Sequence, residues 1–205
     1  DDPAKYLTYP ETPLFHKGRN LYGLYEARQS GTGALPYIVV VEGYMDAVML
    51  SQFGIPETVA TLGTATTREH LNLLFKSTSR VVFCFDGDRA GRAAAWRALE
   101  QALPEAHEGR ELRFMFLPEG HDPDTLVQEI GAEEFRRRID RAVTLSEVLF
   151  QELEKQAPSK TPEGRARMAA LAKPYLERVR EGPLRTLLTQ ELVSRQQADG
   201  SWINE

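Results

Sequence analysis

Four apolar, strand-length runs alternate with helix-length segments over the first half of this chain, and that alternation restricts the fold more than any other feature of the sequence. The runs are residues 37–41, 58–62, 80–85 and 112–117. Between them, residues 43–53, 67–76 and 88–103 carry helical apolar spacing. Gly54 with Pro56 stops the first of these helices, and Pro104 stops the last. Continuous apolar strands joined by helices of this length need crossover connections, so a parallel sheet covered on both faces is expected. The fold class is therefore α/β, a doubly wound, mainly parallel sheet.

Beyond Gly120 the pattern changes. Residues 124–130, 132–139, 143–156, 162–179 and 183–195 all read as helices and no further strand is expected, which predicts a small all-helical subdomain. Pro158, Gly164, Pro174, Gly182 and Pro183 mark its breaks and first turns. Upstream, Leu21, Leu24 and Tyr25 have helical spacing within residues 19–28, and the Gly- and Pro-containing residues 30–36 form a loop. The organisation expected is a connecting segment at 1–36, an α/β domain at 37–121 and a helical subdomain at 122–205.

No stretch approaches the ~20 apolar residues that cross a bilayer, so no membrane partner is expected. The lone Cys84 lies inside the run Val81, Val82, Phe83, Cys84, Phe85, where it reads as a buried thiol suited to a reducing cytoplasm. Asp1 to Lys5 offers no initiator Met, basic start or apolar signal core, and a segment excised from a longer chain is expected. The net charge of −5 argues against a broadly basic nucleic-acid surface. Metal ions bound in an acidic cluster would invert that local field and let an acidic domain hold a triphosphate.

The acidic residues fall where such a cluster would form. Glu42 and Asp86 each follow a strand run, and in open α/β sheets ligands collect beyond the carboxyl ends of the strands. Asp86 and Asp88 are two apart, so extended backbone points both to one side, with Gly87 allowing a tight turn. Asp122 and Asp124 repeat that spacing after the fourth run, with Asp46 close behind Glu42. Oxygen ligands without a Cys or His cluster favour Mg²⁺ or Mn²⁺ over zinc. Each carboxylate also has a plainer reading. Asp88 and Asp124 stand where helix N-caps are wanted, and Glu42 favours a helix N-terminus. Singly, capping suffices; three acidic clusters at successive strand ends point to shared cations. The turn at 62–67, with Gly63 and Thr64, offers backbone N–H groups to a phosphate, although Thr66 reads equally as an N-cap. Arg89 and Arg92 could steer phosphate, whereas Arg136, Arg137, Arg138 and Arg141 read as a solvated face, and Phe53, Phe75 and Trp96 as core.

Glu42-Gly43 followed by Asp86-Gly87-Asp88 resembles the Toprim pattern. The longer strings at 41–46, 62–64, 85–91 and 122–124, with Lys5-Tyr6-Leu7, Pro10-Glu11-Thr12 and residues 15–19 upstream, resemble bacterial replicative primases over nearly the whole chain. The resemblance implies a Toprim domain within a primase polymerase core, with residues 1–36 ending the preceding subdomain. It implies a DNA-directed RNA polymerase that makes short RNA primers from ribonucleoside triphosphates on single-stranded DNA, passing through an RNA–DNA hybrid, in the cytoplasm. Two or more Mg²⁺ or Mn²⁺ ions are implied. Asp86 and Asp88 become central ligands, Glu42 a ligand or general base, and Asp46, Asp122 and Asp124 outer or additional ligands. Lys5, Lys17 and Arg19 become nucleotide or template contacts. Zinc and the replicative helicase are assigned to domains outside this chain, guanosine alarmones are implied inhibitors, and the isolated segment is expected to be weak or inactive. The rival readings are a Toprim nuclease or topoisomerase fragment and a non-catalytic Toprim interaction module.

Overall fold

The computed structural model describes Thr12, residues 16–157 and residues 161–197. Strands β1 (Ile38–Val41), β2 (Thr58–Ala60), β3 (Arg80–Phe85), β4 (Glu111–Phe116) and β5 (Val143–Thr144) form one sheet in the order β2-β1-β3-β4-β5. The first four are parallel and β5 runs antiparallel on the β4 edge. Helices α1 (Leu24–Gln29), α2 (Tyr44–Gln52), α3 (Arg68–Leu74), α4 (Arg89–Ala102) and α5 (Pro123–Asp140) surround the sheet. Helices α6 (Leu145–Gln156), α7 (Pro162–Leu176) and α8 (Pro183–Gln197) complete the described chain.

All four residues of β1 are buried because both faces of the sheet are covered. Side chains alternate between the faces along a strand, which divides the core in two. Val40, Phe83 and Phe114 pack with Leu71 of α3, Leu99 of α4 and Phe150 of α6. Val39, Val41, Val82 and Cys84 pack with Leu50 of α2 and Phe135 of α5. The doubly wound expectation is met, and Cys84 is buried as read.

Several details differ from the sequence reading. A fifth strand exists: Val143 and Thr144 pair with Phe114 and Arg113 before Thr144 caps α6. The stretch from residue 19 is not a helix throughout, because Tyr22 exchanges backbone hydrogen bonds with Ala60 and helical geometry begins at Leu24. Phe53 is 37% exposed, whereas Trp96 packs edge-on against Tyr175 at the core margin. The break expected between 130 and 132 is present as Gly131, at φ +76° inside α5. Since α5 covers one face of the sheet and β5 extends it, the 37–121 and 122–205 units share a continuous core.

Phe83 is fully buried, with ring centroids 5.2 Å from Phe114 and 6.1 Å from Phe85. Phe83→Ala is expected to cost about 3–5 kcal/mol in urea unfolding; a loss below about 1 kcal/mol would mean that this face is not close-packed.

A carboxylate cluster at the strand switch point

The sheet order reverses between β1 and β3, and this is the position where open α/β sheets form a ligand crevice. Val40 pairs with Phe83 across the two strands, so Glu42 after β1 and Asp86 after β3 emerge at the same edge. Asp46 follows within the first turn of α2, and Asp122 caps α5, which leaves the loop after β4.

Two glycines hold the β3–α4 turn in place. A Cβ on Gly87 would run into the Leu117 carbonyl, and one on Gly91 would run into the Asp86 backbone. Only glycine lets the Asp86-Gly87-Asp88 turn lie directly against the loop after β4 and the first turn of α4. Asp88 is the N-cap of α4, its Oδ1 accepting the Gly91 N–H at 2.7 Å. Asp122 caps α5 through a reciprocal box with Thr125, its Oδ1 accepting the Thr125 N–H at 2.8 Å. The capping reading therefore holds for Asp88, while on α5 the cap is Asp122 and not Asp124. The Asp124 side chain accepts from Gln128 on its own helix. Asp46 accepts backbone N–H groups from Gly43 and Asp124, so its carboxylate links the starts of α2 and α5.

The carboxylates repel one another. Burial, then Glu42, Asp88 and Asp122, push the Asp86 pKa from 3.8 up to about 6. Burial and Asp122, followed by Asp86, raise Asp46 from 3.8 to about 6 against its two N–H contacts. Burial also raises Glu42, with Arg97 opposing and Asp88 adding to the shift. Asp86 is the junction, coupled to Glu42 and Asp88 on one side and to Asp122 and Asp46 on the other. Groups that resist ionising together are a setting in which bound cations stabilise the charged forms. Among the described residues no three His, Cys, Asp or Glu side chains already converge on a single ion position. The donor set nevertheless fits hydrated Mg²⁺ or Mn²⁺, because Mg²⁺ commonly keeps several waters and takes only one or two carboxylates besides substrate phosphates.

Beside this cluster lies a cleft of about 140 Å³ lined by Glu42, Thr61, Gly63, Thr64, Thr66 and Arg97. Leu62 and Gly63 both have left-handed backbone, at φ 61° and 73°, which turns the loop sharply. The Gly63 N–H donates to the Glu42 carbonyl at 3.3 Å, and the Thr64 hydroxyl is spent on the Thr61 carbonyl at 2.9 Å. The cap of α3 is Thr67, not Thr66. Arg97 was missed by sequence reasoning; it is the third arginine of the Ala-rich α4, after Arg89 and Arg92, and lies one turn beyond Ala94 on the cleft side. Lys17 and Arg19 lie in the 3-10 turn Lys17–Arg19, whose backbone packs on α3. Lys5 lies outside the described residues. Arg92 sits over the Phe116 ring at 5.2 Å instead of reaching into the cluster. Arg137 pairs with Glu133 and Glu134 on an exposed face, whereas Arg136 reaches the Gly54 carbonyl.

The fold and this site define a Toprim protein, and residues 39–127 match the Toprim-like family. The chain belongs, among Toprim proteins, to the bacterial DNA primase family. It is 56% identical over 193 residues to the DNA primase of Escherichia coli strain K12, covering 94% of this chain and 33% of that protein. A crystal structure of a DNA primase domain from Pseudomonas aeruginosa is 53% identical with a TM-score of 0.91, covering 96% of this chain and 61% of that one. A DnaG primase catalytic domain bound to single-stranded DNA is 54% identical with a TM-score of 0.89, covering 95% of this chain and 62% of that one. The chain thus spans only a third of the curated primase's length. Residues 146–195, covering most of α6 to α8, match the family described as the DnaB-helicase binding domain of primase. The sequence reading put helicase docking wholly outside the chain; a helicase-binding match lies inside it. No helix among the described residues is long and apolar enough to cross a membrane.

The raised carboxyl groups set a pH dependence. A carboxyl whose folded pKa exceeds its unfolded value favours the fold below the unfolded pKa and loses that contribution as pH rises through the folded one. For Asp86 the window runs from 3.8 to about 6. Metal-free Asp86→Asn is therefore expected to melt above the unmodified chain at pH 8, with the difference shrinking as pH falls toward 4. A variant that melts lower at pH 8 would contradict the repulsion. Gly91→Ala is expected to lower stability by about 1–3 kcal/mol despite alanine's better helix propensity, read by urea unfolding.

Proposed function

We propose that this chain is the Toprim part of a primase catalytic core, which makes short RNA primers on single-stranded DNA by divalent-metal-assisted nucleotidyl transfer. The observation that carries the reading is the junction at Asp86, where Glu42, Asp88 and Asp122 all act on one carboxylate at the β1/β3 switch point. Asp86 and Asp88 hold the central positions of the ligand set, Asp46 and Asp122 the flanking ones. Asp124 contributes mainly its backbone N–H to Asp46. When bound, two or more Mg²⁺ or Mn²⁺ ions would neutralise triphosphate charge and favour the attacking 3′-oxygen.

The chain's own residues bind and orient. Glu42, on the cleft wall facing Arg97, either joins the ligand set or takes the proton of the attacking hydroxyl. Gly63 and Thr64 shape the cleft wall, Arg97 adds positive charge, and Lys17, Arg19 and Lys5 contact triphosphate or template. Template, RNA–DNA hybrid, ribonucleoside triphosphates and a replicative helicase are the proposed partners, with guanosine alarmones as competitors for the nucleotide site. Support for the template comes from the DNA-bound relative, and for the helicase from the match over residues 146–195. Zinc belongs to a domain beyond this segment, and the cytoplasmic replication fork is the proposed location.

The test joins this segment to the upstream half of the core and supplies Mn²⁺, ribonucleoside triphosphates and single-stranded DNA. RNA primers are expected, and Asp86→Asn and Asp88→Asn should each lower their yield by about 10²–10³-fold, the scale for removing one preorganised electrostatic group. Nicked template without primers would favour the nuclease reading, and neither product would favour the scaffold reading. Calorimetric Mn²⁺ binding left unchanged in both variants would reject the ligand assignments.

A further inference from the structure

His70 occupies a position where helices usually place Glu or Gln. Thr67 caps α3, its hydroxyl accepting the His70 N–H at 3.1 Å, while the Thr67 N–H donates back to His70 Nδ1 at 3.3 Å. This is a capping box with an imidazole in the third position. A glutamate there would accept the Thr67 N–H equally well but would have no proton to give. With Nδ1 accepting, the imidazole proton must sit on Nε2, and Nε2 donates to the Lys17 carbonyl at 2.8 Å and the Asn20 carbonyl at 3.1 Å. The Thr67 hydroxyl donates to the carbonyl between them in sequence, Gly18, at 2.6 Å.

The first turn of α3 thus binds three carbonyls in the segment that carries Lys17 and Arg19. Tyr22 then pairs with Ala60, fixing the same segment to the end of β2. Thr67 directly follows the loop that lines the cleft, so the attachment point and the cleft wall are consecutive in the chain. His70 is completely buried, and burial holds its pKa below the ordinary value, which keeps the ring neutral and the Nε2 proton in place for this role.

We propose that His70 is a positioning residue that holds the Lys17–Arg19 turn beside the cleft, so that its two cations meet a metal-bound triphosphate. This rests on the reading of Lys17 and Arg19 as triphosphate contacts. A histidine serving only to fill the core would need neither the Nε2 donor nor any effect on nucleotide affinity.

The test uses the whole chain with two substitutions. His70→Gln can still accept from Thr67 and donate to the carbonyls, whereas His70→Met fills similar volume without either capacity. Amide hydrogen exchange at Arg19, Asn20 and Tyr22 reads the hold on the segment, and equilibrium titration with Mn²⁺ alone and with Mn²⁺ plus ATP reads the consequence. In His70→Met, exchange at these amides is expected to quicken and ATP affinity to fall about tenfold, the size of one to two lost hydrogen bonds. Mn²⁺ affinity should stay unchanged and His70→Gln should stay near the unmodified chain. Unchanged exchange in His70→Met, faster exchange with unaltered ATP affinity, or a Gln variant as impaired as the Met variant would each overturn the proposal. Should the unmodified chain bind Mn²⁺ but not ATP, the reading of the two basic residues falls and the positioning role with it, while the exchange data would still separate that failure from a missing His70 contact.

Discussion

The site depends on a single strand pairing. Because Val40 lies opposite Phe83 in parallel register, the chain leaves β1 and β3 at one edge of the sheet and delivers Glu42 and Asp86 there together. Both strands are buried, and slipping the register by one residue would exchange which side chains face α4 and which face α5. The core therefore fixes the spacing of the carboxylates. It also supplies the stability that offsets their repulsion, since no carboxylate of the cluster gains from standing near the others until a cation joins them.

Close backbone approach completes the arrangement. Gly87 and Gly91 let three segments, the turn after β3, the loop after β4 and the start of α4, come nearer than side chains would permit. The same turn places Asp88 as a helix cap, so one residue organises α4 and also faces the acidic junction. Asp46 is similar, tying the starts of α2 and α5 while feeling Asp86 and Asp122. Capping and ion binding are compatible here because helix N-termini stabilise carboxylates and strand ends aim them into one space. His70 and Thr67 likewise turn a cap into an anchor, here for the turn that carries Lys17 and Arg19.

Much of this was legible in the sequence because it depends on patterns that survive any tertiary detail. The runs at 37–41 and 80–85 were apolar without alternation, which only doubly covered strands require, and Gly131 divided two helical patterns where the backbone does break. The strand-end carboxylates followed from those runs. What was missed depends on contacts between distant segments. β5 is two residues long and merges with the cap of α6, so it carries no periodic signal. Leu21, Leu24 and Tyr25 have helical spacing, yet the outer backbone edge of β2 captures the Tyr22 backbone. Asp124 matched the two-apart pattern, but Gln128 one turn on takes its side chain. Arg97 and His70 are one arginine among many and one histidine on an apolar face, and only the folded chain brings them to Glu42 and Lys17.

The match to the Escherichia coli primase covers a third of that protein's length. The proposed contribution of this segment is a set of carboxylates from separate loops gathered to hold divalent ions. Anomalous diffraction from a crystal grown with Mn²⁺ and a ribonucleoside triphosphate tests it most directly. Manganese peaks bounded by Asp86 and Asp88, with Glu42, Asp46 or Asp122 in the coordination shells, are predicted. Manganese found only at other surface carboxylates, with the β1 and β3 ends bare, would show that these carboxylates are not the ion ligands.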